Sequence, residues 1–417
     1  MTDKLAIHGG TPVIPDPKPH FRWPPPIEGL SKVVADYIES GGKLSIVDRS
    51  GVYQQLEDRL CRLMERKYAI LTSSGTMALY SAFFGLDLRP GDEVISTVYS
   101  FHATATPLLH FGVKVIFCDV EPDTGNIDPS RIKELITENT RAIVTNHMWG
   151  HPVDVSAIQD ICRNKNLAWI EDCSHAHFSR YHNQFVGSFG DAAIFSLQGN
   201  KLLTGGEGGV LLTDRTDIYE RATLLGHSLK RSETCVKDPQ WQSILHTGFG
   251  LKLRMHPLAA VMVQHLLEHH CFDWIAARAQ TLKRFSDGLT ATGKILPMAC
   301  RDYVSSMGAH YGFKPRLAPN QIDIPRDRII AALQAEGVDV TAPGSLPFHR
   351  LALFDPDKNR IGDFTKADNR HRTFPGADTY YDSILSLPTF TFSADWPLVD
   401  RYIEAFHRVF DRMEDLR

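Results

Sequence analysis

The spacing of apolar positions changes twice along the chain. From residue 28 to about 67 it is helical, with Leu30, Val33, Val34, Tyr37 and Ile38, then Tyr53, Leu56, Leu60, Leu63 and Met64, which predicts two helices broken apart by Gly41-Gly42. Short apolar runs follow at 68–72, 93–97, 114–118, 142–146, 168–171, 192–197 and 209–213. Amphipathic stretches separate them, punctuated by Arg89-Pro90-Gly91-Asp92 and Asp128-Pro129. Strands this uniformly apolar, alternating with helices, predict a mainly parallel sheet covered on both faces, with ligands at the carboxyl ends of its strands. After about residue 256 the alternation fades. A helix over 258–267, another over 326–336 followed by Val338-Asp339-Val340, and a helical C-terminus over 396–416 predict a smaller α+β unit. Residues 11–29, with Pro12, Pro15, Pro17, Pro24, Pro25 and Pro26 among them, form an extended arm, because proline cannot continue a helix.

Charge narrows the partners. The 417 residues carry 45 Lys and Arg against 49 Asp and Glu, a formal charge of −4, with no basic block, which argues against nucleic acid or an anionic membrane surface. No stretch approaches the ~20 apolar residues of a membrane helix, and the first ten residues lack a signal-peptide core, so a cytoplasmic protein is expected. The seven cysteines are an odd number, dispersed and without a C-x-x-C pair, and read as reduced thiols.

Three segments at strand ends carry candidate chemistry. Ser73-Ser74-Gly75-Thr76-Met77 opens a helix after a strand, so its turn offers free N–H groups and the positive end of a helix dipole to a phosphate. An ordinary Ser N-cap accounts for the same residues equally well. Ile170-Glu171-Asp172-Cys173-Ser174-His175 ends an apolar strand, where a carboxylate either pairs with a cationic ring nitrogen or caps a helix. Phe195-Ser196-Leu197-Gln198-Gly199-Asn200-Lys201 places a lone lysine before Gly205-Gly206-Glu207-Gly208-Gly209. A lysine taken at random is solvated, but a desolvated amine is nucleophilic and suits Schiff-base chemistry. Their order tips the balance: phosphate cradle, strand-end aspartate and lysine on one parallel sheet are the parts a pyridoxal phosphate site requires. His265 and His269 have zinc-compatible spacing but no third ligand, and read as a solvated face. Asn146-His147-Met148-Trp149-Gly150-His151 is expected to enter the crevice, where its rings suit a polyol, although Trp149 serves equally well as core.

Several segments, in order, resemble the successive signatures of the DegT/StrS-type sugar aminotransferase family from about residue 8 to 410. They are Ser74-Gly75-Thr76-x-Ala78-Leu79, Pro90-Gly91-Asp92-Glu93-Val94, Ser100-Phe101-x-Ala103-Thr104, Glu171-Asp172-x-x-His175-Ala176, Phe195-Ser196 with Lys201, and Gly206-Glu207-Gly208-Gly209. Arg254-Met255 with Ala259-Ala260, Pro347-x-His349 and Leu385-Ser386-Leu387-Pro388 continue the series. The resemblance implies the α/β fold of pyridoxal-phosphate-dependent transferases of the aspartate aminotransferase type. The expected parts are an arm over 1–30, a large cofactor domain over 31–256 and a small α+β domain over 257–417.

By the same resemblance the cofactor is pyridoxal 5'-phosphate. Lys201 carries it covalently and Asp172 partners its ring nitrogen, and both are catalytic. Phe101 stacks on the ring, Gly75 and Thr76 give N–H groups to the phosphate, Ser196 adds a hydroxyl, and His175 lies beside the ring. One position departs. Where the family commonly reads Gly-Tyr-Asn-Tyr-Arg-Met, its Asn reaching the phosphate of a neighbouring subunit, this chain has Gly250-Leu251-Lys252-Leu253-Arg254-Met255. Lys252 is expected at the cofactor phosphate as a point charge, or at an acidic donor or substrate.

The implied activity is transfer of an amino group from L-glutamate or L-glutamine to a keto-sugar or cyclitol ketone, in secondary-metabolite or surface-sugar biosynthesis, by a homodimer with shared sites. Dehydration or aromatisation of a cyclic ketone is a related outcome, although relatives that dehydrate replace the lysine with histidine. A non-catalytic binding protein of the same fold is the alternative from another class. Loops 146–151, 225–230 and 347–350 are expected to read the acceptor.

Overall fold

The structure, a computed structural model, describes residues 4–16, 23–227, 229–355, 357–358, 369 and 371–417. The two early helices are α1 (Leu30–Glu39) and α2 (Gly51–Met64). The sheet strands are β1 (Tyr68–Thr72), β2 (Glu93–Thr97), β3 (Lys114–Cys118), β4 (Thr140–Asn146), β5 (Ala168–Asp172), β6 (Ala192–Ser196) and β7 (Gly209–Thr213). They lie in the order β1-β7-β6-β5-β4-β2-β3, parallel except for β7, which runs antiparallel to both its neighbours. β4 begins two residues before the predicted run, β5 gains Asp172, and β6 ends at Ser196.

Consecutive side chains of a strand point to opposite faces, and the core divides accordingly. Leu71, Ile95, Ile143, Trp169, Phe195 and Leu212 pack with residues of α2, of α4 (Val155–Lys165) and of α6 (Pro257–His269). Ile70, Val94, Val144, Ile170, Ile194 and Leu211 pack with α3 (Gly75–Gly85) and α5 (Thr216–Gly226). Burial on both faces explains why these strands read as continuous apolar runs.

A third core joins α7 (Cys271–Thr290), α8 (Arg326–Ala335) and α9 (Trp396–Asp411) through Phe285, Leu289, Leu333, Phe406 and Val409. The predicted C-terminal helix stops at Asp411 because Arg412 leaves helical geometry at φ −125°, and a short 3-10 turn, Met413–Leu416, follows. The described part of the arm is not free: Leu5, Val13 and Ile14 are buried in this third core, and the Ile14 N–H donates to the Glu336 carbonyl at 2.9 Å. Residues 1–3 and 17–22 of the arm lie outside the described residues. His265 receives a structural task, its Nε2 lying 2.7 Å from the Glu28 carbonyl. The seven cysteines are free thiols. Among the described residues no helix is long and apolar enough to cross a membrane.

Candidate active site

The carboxyl ends of β1, β4, β5 and β6, with the loop after β2, open onto one cleft of about 780 Å³, closed on the far side by residues after 270. Gly75, Thr76, Phe101, Asp172, His175, Ser196 and Lys201 all line it. Lys252 does not: its side chain is exposed on the segment after α5, whose Leu253 N–H is fixed to the Gly226 carbonyl at 3.1 Å.

The floor is the turn from β1 into α3. The Ser74 hydroxyl caps the helix by accepting from the Met77 N–H at 3.1 Å, which leaves the other first-turn N–H groups directed at the cleft. Gly75 is required by proximity, because a Cβ there would lie 2.8 Å from Ser196 Cβ. Gly209 is packed as tightly from the other side, with room for no side chain against the Ser74 carbonyl. Helix dipole, free N–H groups and the Ser196 hydroxyl together form an anion cradle.

Asp172 is the last residue of β5. Its Oδ2 accepts from the Thr104 hydroxyl at 2.7 Å and its Oδ1 from the Ser174 N–H at 3.0 Å, while Ser100 lies 2.8 Å from the Thr104 hydroxyl. Glu171, one residue earlier, points to the opposite face. It is fully buried and accepts from the N–H groups of Gly187, Phe189 and Gly190 at 2.9, 2.8 and 2.7 Å, with His147 at 3.2 Å. Burial alone would raise its pKa, but the His147 hydrogen bond and the nearby Arg66 charge outweigh it and hold the carboxylate below its ordinary range. Glu171, His147 and Cys173 also bring their ligand atoms within 4.8 Å of one another. The hydrogen bonds already made by Glu171 give that cluster a structural task.

Lys201 is 6% exposed, and burial pulls its ammonium down to about 7 against the opposing charge of Asp172. Its Nζ lies 3.4 Å above the Tyr311 ring. Tyr311, His175 and Trp149 are stacked, with 4.3 Å between the first two and 5.0 Å between the last two. His175 is held neutral, first by burial and then by Lys201 and Lys314, and its Nδ1 has no partner. Phe101, 49% exposed, offers a free aromatic face at the mouth.

Of the loops expected to read the acceptor, 146–151 contributes Asn146 and Trp149. Among the described residues, 225–230 and 347–350 do not line this cleft. Leu225 is buried within α5, and Ser228 lies outside the described residues. His349 turns to Asp378 at 3.1 Å, and Arg350 pairs with Asp378 and Asp382. Their places on the wall are taken by Asp339, Thr341, Gly344, Ser345 and 386–389. Sequence reasoning also missed Arg278 in α7, and Tyr311 and Lys314, which line the cleft from an irregular stretch.

A crystal structure of the aminotransferase from Psychrobacter cryohalolentis superposes with a TM-score of 0.82 at 25% identity, covering 95% of this chain and 100% of that one. The fold and the strand-end cleft thus define an aminotransferase. The profile of the DegT/DnrJ/EryC1/StrS aminotransferase family matches residues 41–395, and the chain belongs to that family. It is similar to the L-glutamine:scyllo-inosose aminotransferase of Streptomyces griseus, 29% identical over the full length of both chains. It is also similar to the spore coat polysaccharide biosynthesis protein SpsC of Bacillus subtilis, 29% identical over 91% of this chain and 94% of that one.

Proposed function

We propose that this aminotransferase uses pyridoxal 5'-phosphate to move the amino group of L-glutamine or L-glutamate onto a ketone of a cyclitol or sugar. The observation that carries this is Lys201, a buried amine sharing one cleft with Asp172 and the Ser74–Thr76 cradle. The residues fit the cofactor. The cradle has no room for a Cβ at Gly75, His175 Nδ1 and Asn146 Oδ1 are buried in the cleft without partners, and Phe101 exposes a stacking face.

Bound there, the cofactor supplies a carbon that accepts and returns an amine and a ring that withdraws electrons from it. Lys201 holds it covalently, and once released its neutral amine takes the α-proton of the donor. In the second half-reaction Lys201 gives a proton back at the carbon bearing the new amine. Asp172, oriented by Thr104 and Ser174, holds a proton at the ring nitrogen. Gly75, Thr76 and Ser196 hold the phosphate, and His175 sits beside the ring.

The similarity to an L-glutamine:scyllo-inosose aminotransferase supports a cyclitol or sugar acceptor, made for a secondary metabolite or surface polysaccharide. The hydroxyls of Thr341, Ser345 and Thr389 on the far wall suit a polyol. The reading includes a cytoplasmic homodimer in which the exposed Lys252, beside exposed Phe249 and Leu251, reaches the partner's cofactor phosphate. It also includes the division into arm 1–30, large domain 31–256 and small domain 257–417.

The test supplies L-glutamine labelled at its α-nitrogen with a panel of inososes and keto-sugars. Wild-type protein is expected to place the label in a product amine, and Lys201→Ala to place none. Unlabelled dehydrated or aromatised product, or a protein that stays colourless with added pyridoxal phosphate, refutes the proposal.

A further inference from the structure

An α-amino acid donor brings a carboxylate into the cleft on every turnover, whereas a keto-cyclitol or free keto-sugar is uncharged. The cleft must therefore contain a cation for the donor that is not already committed. Among the described residues, the lysine and arginine side chains that line it are Lys201, Arg278 and Lys314, and His175 is held neutral. Lys201 belongs to the chemistry. Arg278 is engaged in holding the wall together, its Nε donating to the Thr391 hydroxyl at 2.9 Å, its Nη1 to the Ala309 carbonyl at 2.7 Å, and its guanidinium lying 4.1 Å from the Trp23 ring centre.

Lys314 is different. It is buried, 8% exposed, and among the described residues no carboxylate is paired with it. Its Nζ donates to the Ser386 hydroxyl and lies 4.8 Å from the Trp149 ring centre, at the end of the ring stack whose other end carries Lys201. Both ends of the side chain are fixed. The adjacent Phe313 bridges Leu387, and Ser386 is pinned by paired backbone bonds with Thr341 at 2.8 and 3.1 Å. A buried ammonium is costly unless paired, and among the described residues this one faces the cleft beside a hydroxyl and an aromatic ring and no carboxylate.

We propose that Lys314 is the binding residue for the α-carboxylate of the amino donor, with the Ser386 hydroxyl positioning its ammonium. Burial pulls that ammonium down to about 8, which leaves it charged at neutral pH, and an arriving carboxylate supplies the paired charge. The proposal rests on the transamination reading, and its test does not require turnover.

Calorimetry on the purified holoenzyme measures binding of glutaramate, which is L-glutamine without its amino group, against glutaramide, the uncharged diamide. Lys314→Met keeps the stem and removes the charge. It is expected to weaken glutaramate about tenfold to a hundredfold, as for loss of a charge-assisted hydrogen bond, and to leave glutaramide unchanged. Ser386→Ala is expected to weaken glutaramate by a smaller factor in the same direction. In parallel, KM for L-glutamine is expected to rise while KM for the ketone stays within about twofold. Unchanged glutaramate affinity in Lys314→Met overturns the proposal. So does equal weakening of glutaramide, which marks a merely structural residue, or a rise confined to the KM of a phosphate-bearing ketone, which assigns the cation to the acceptor. If wild-type protein binds glutaramate through Lys314 yet transfers no amine, the transamination reading fails and the carboxylate subsite stands.

Discussion

Replacing Lys201 by Met in cofactor-free protein is expected to stabilise the fold while abolishing transamination, because the unmodified amine is buried for its chemistry and not for stability. The ammonium is pulled from 10.5 to about 7 chiefly by burial, and at ~1.36 kcal/mol per pH unit this corresponds to a penalty of about 5 kcal/mol for the charged lysine. Linkage fixes the sign. Below pH 7 folded and unfolded chains both hold the proton and the penalty is whole. Between pH 7 and 10.5 the folded chain has shed a proton that the unfolded chain keeps, so the penalty shrinks as pH rises, and above 10.5 it is gone. Methionine retains the stem at a packing cost of up to about 1.5 kcal/mol, which leaves a net gain of about 3 kcal/mol at pH 6. At ~2.1 cal/mol/K of unfolding entropy per residue, that is a rise of about 3 °C in Tm for a chain of this length. The assay is urea unfolding followed by tryptophan fluorescence at pH 6, 8 and 10, with cofactor removed and both proteins at one concentration. Lys314 titrates identically in both and cancels from the difference. Lys201→Met that is no more stable than wild type at pH 6, or an advantage that persists undiminished at pH 10, refutes the reasoning.

Glu171→Gln is expected to destabilise the protein by about 3–5 kcal/mol in the same urea assay, because a buried carboxylate that accepts three backbone N–H bonds and faces His147 loses its charge. The carboxylate is held below its ordinary range, so its contribution is present above the unfolded value near 4.5 and is lost as pH falls through the folded value; the mutant loses that part of its acid sensitivity. Thr104→Val removes the hydroxyl that donates to Asp172, and steady-state kinetics are expected to show kcat reduced about tenfold with donor KM unchanged. Lys252 is exposed and absent from its own cleft, so Lys252→Ala and Lys201→Ala chains, each impaired alone, are expected to complement when unfolded together and refolded. Random pairing makes about half of the dimers mixed, each with one intact site, restoring about a quarter of wild-type activity; restoration of none places Lys252 outside the partner's site.

The alternating elements up to residue 213 are legible in the sequence because one physical condition, burial on both faces, makes each strand a short apolar run and each covering helix amphipathic. The third core has no such regularity. Leu5, Val13 and Ile14 come from a proline-rich stretch that reads as an arm, yet they pack beneath α8 and α9 because three apolar side chains at the start of the chain close a core that those helices leave open. Tyr311, Arg278 and Lys314 were missed for a related reason. An arginine in a long helix and a lysine in an irregular stretch look solvated until the chain is closed around them, and only their burial, 4% and 8% exposed, shows that they face the cleft.

The pair Glu171-Asp172 shows how far local rules reach. Two adjacent carboxylates at a strand end look interchangeable in composition, but the two-residue period of a strand sends them to opposite faces. Asp172 shares its face with Ile170 and Ile194, the face on which α3 begins, so it meets the cradle and Lys201. Glu171 shares its face with Trp169, where the turn over 187–190 presents three N–H groups to it. Among the described residues the first carboxylate accepts hydrogen bonds only from Thr104 and the Ser174 N–H, and so remains available to a ligand; the second is consumed by the fold. Exchanging the two residue types would put the longer side chain into the cleft and leave three backbone donors short of an acceptor. The order Glu then Asp is therefore a consequence of geometry at this strand end, and it separates the carboxylate that holds the protein from the one that serves the chemistry.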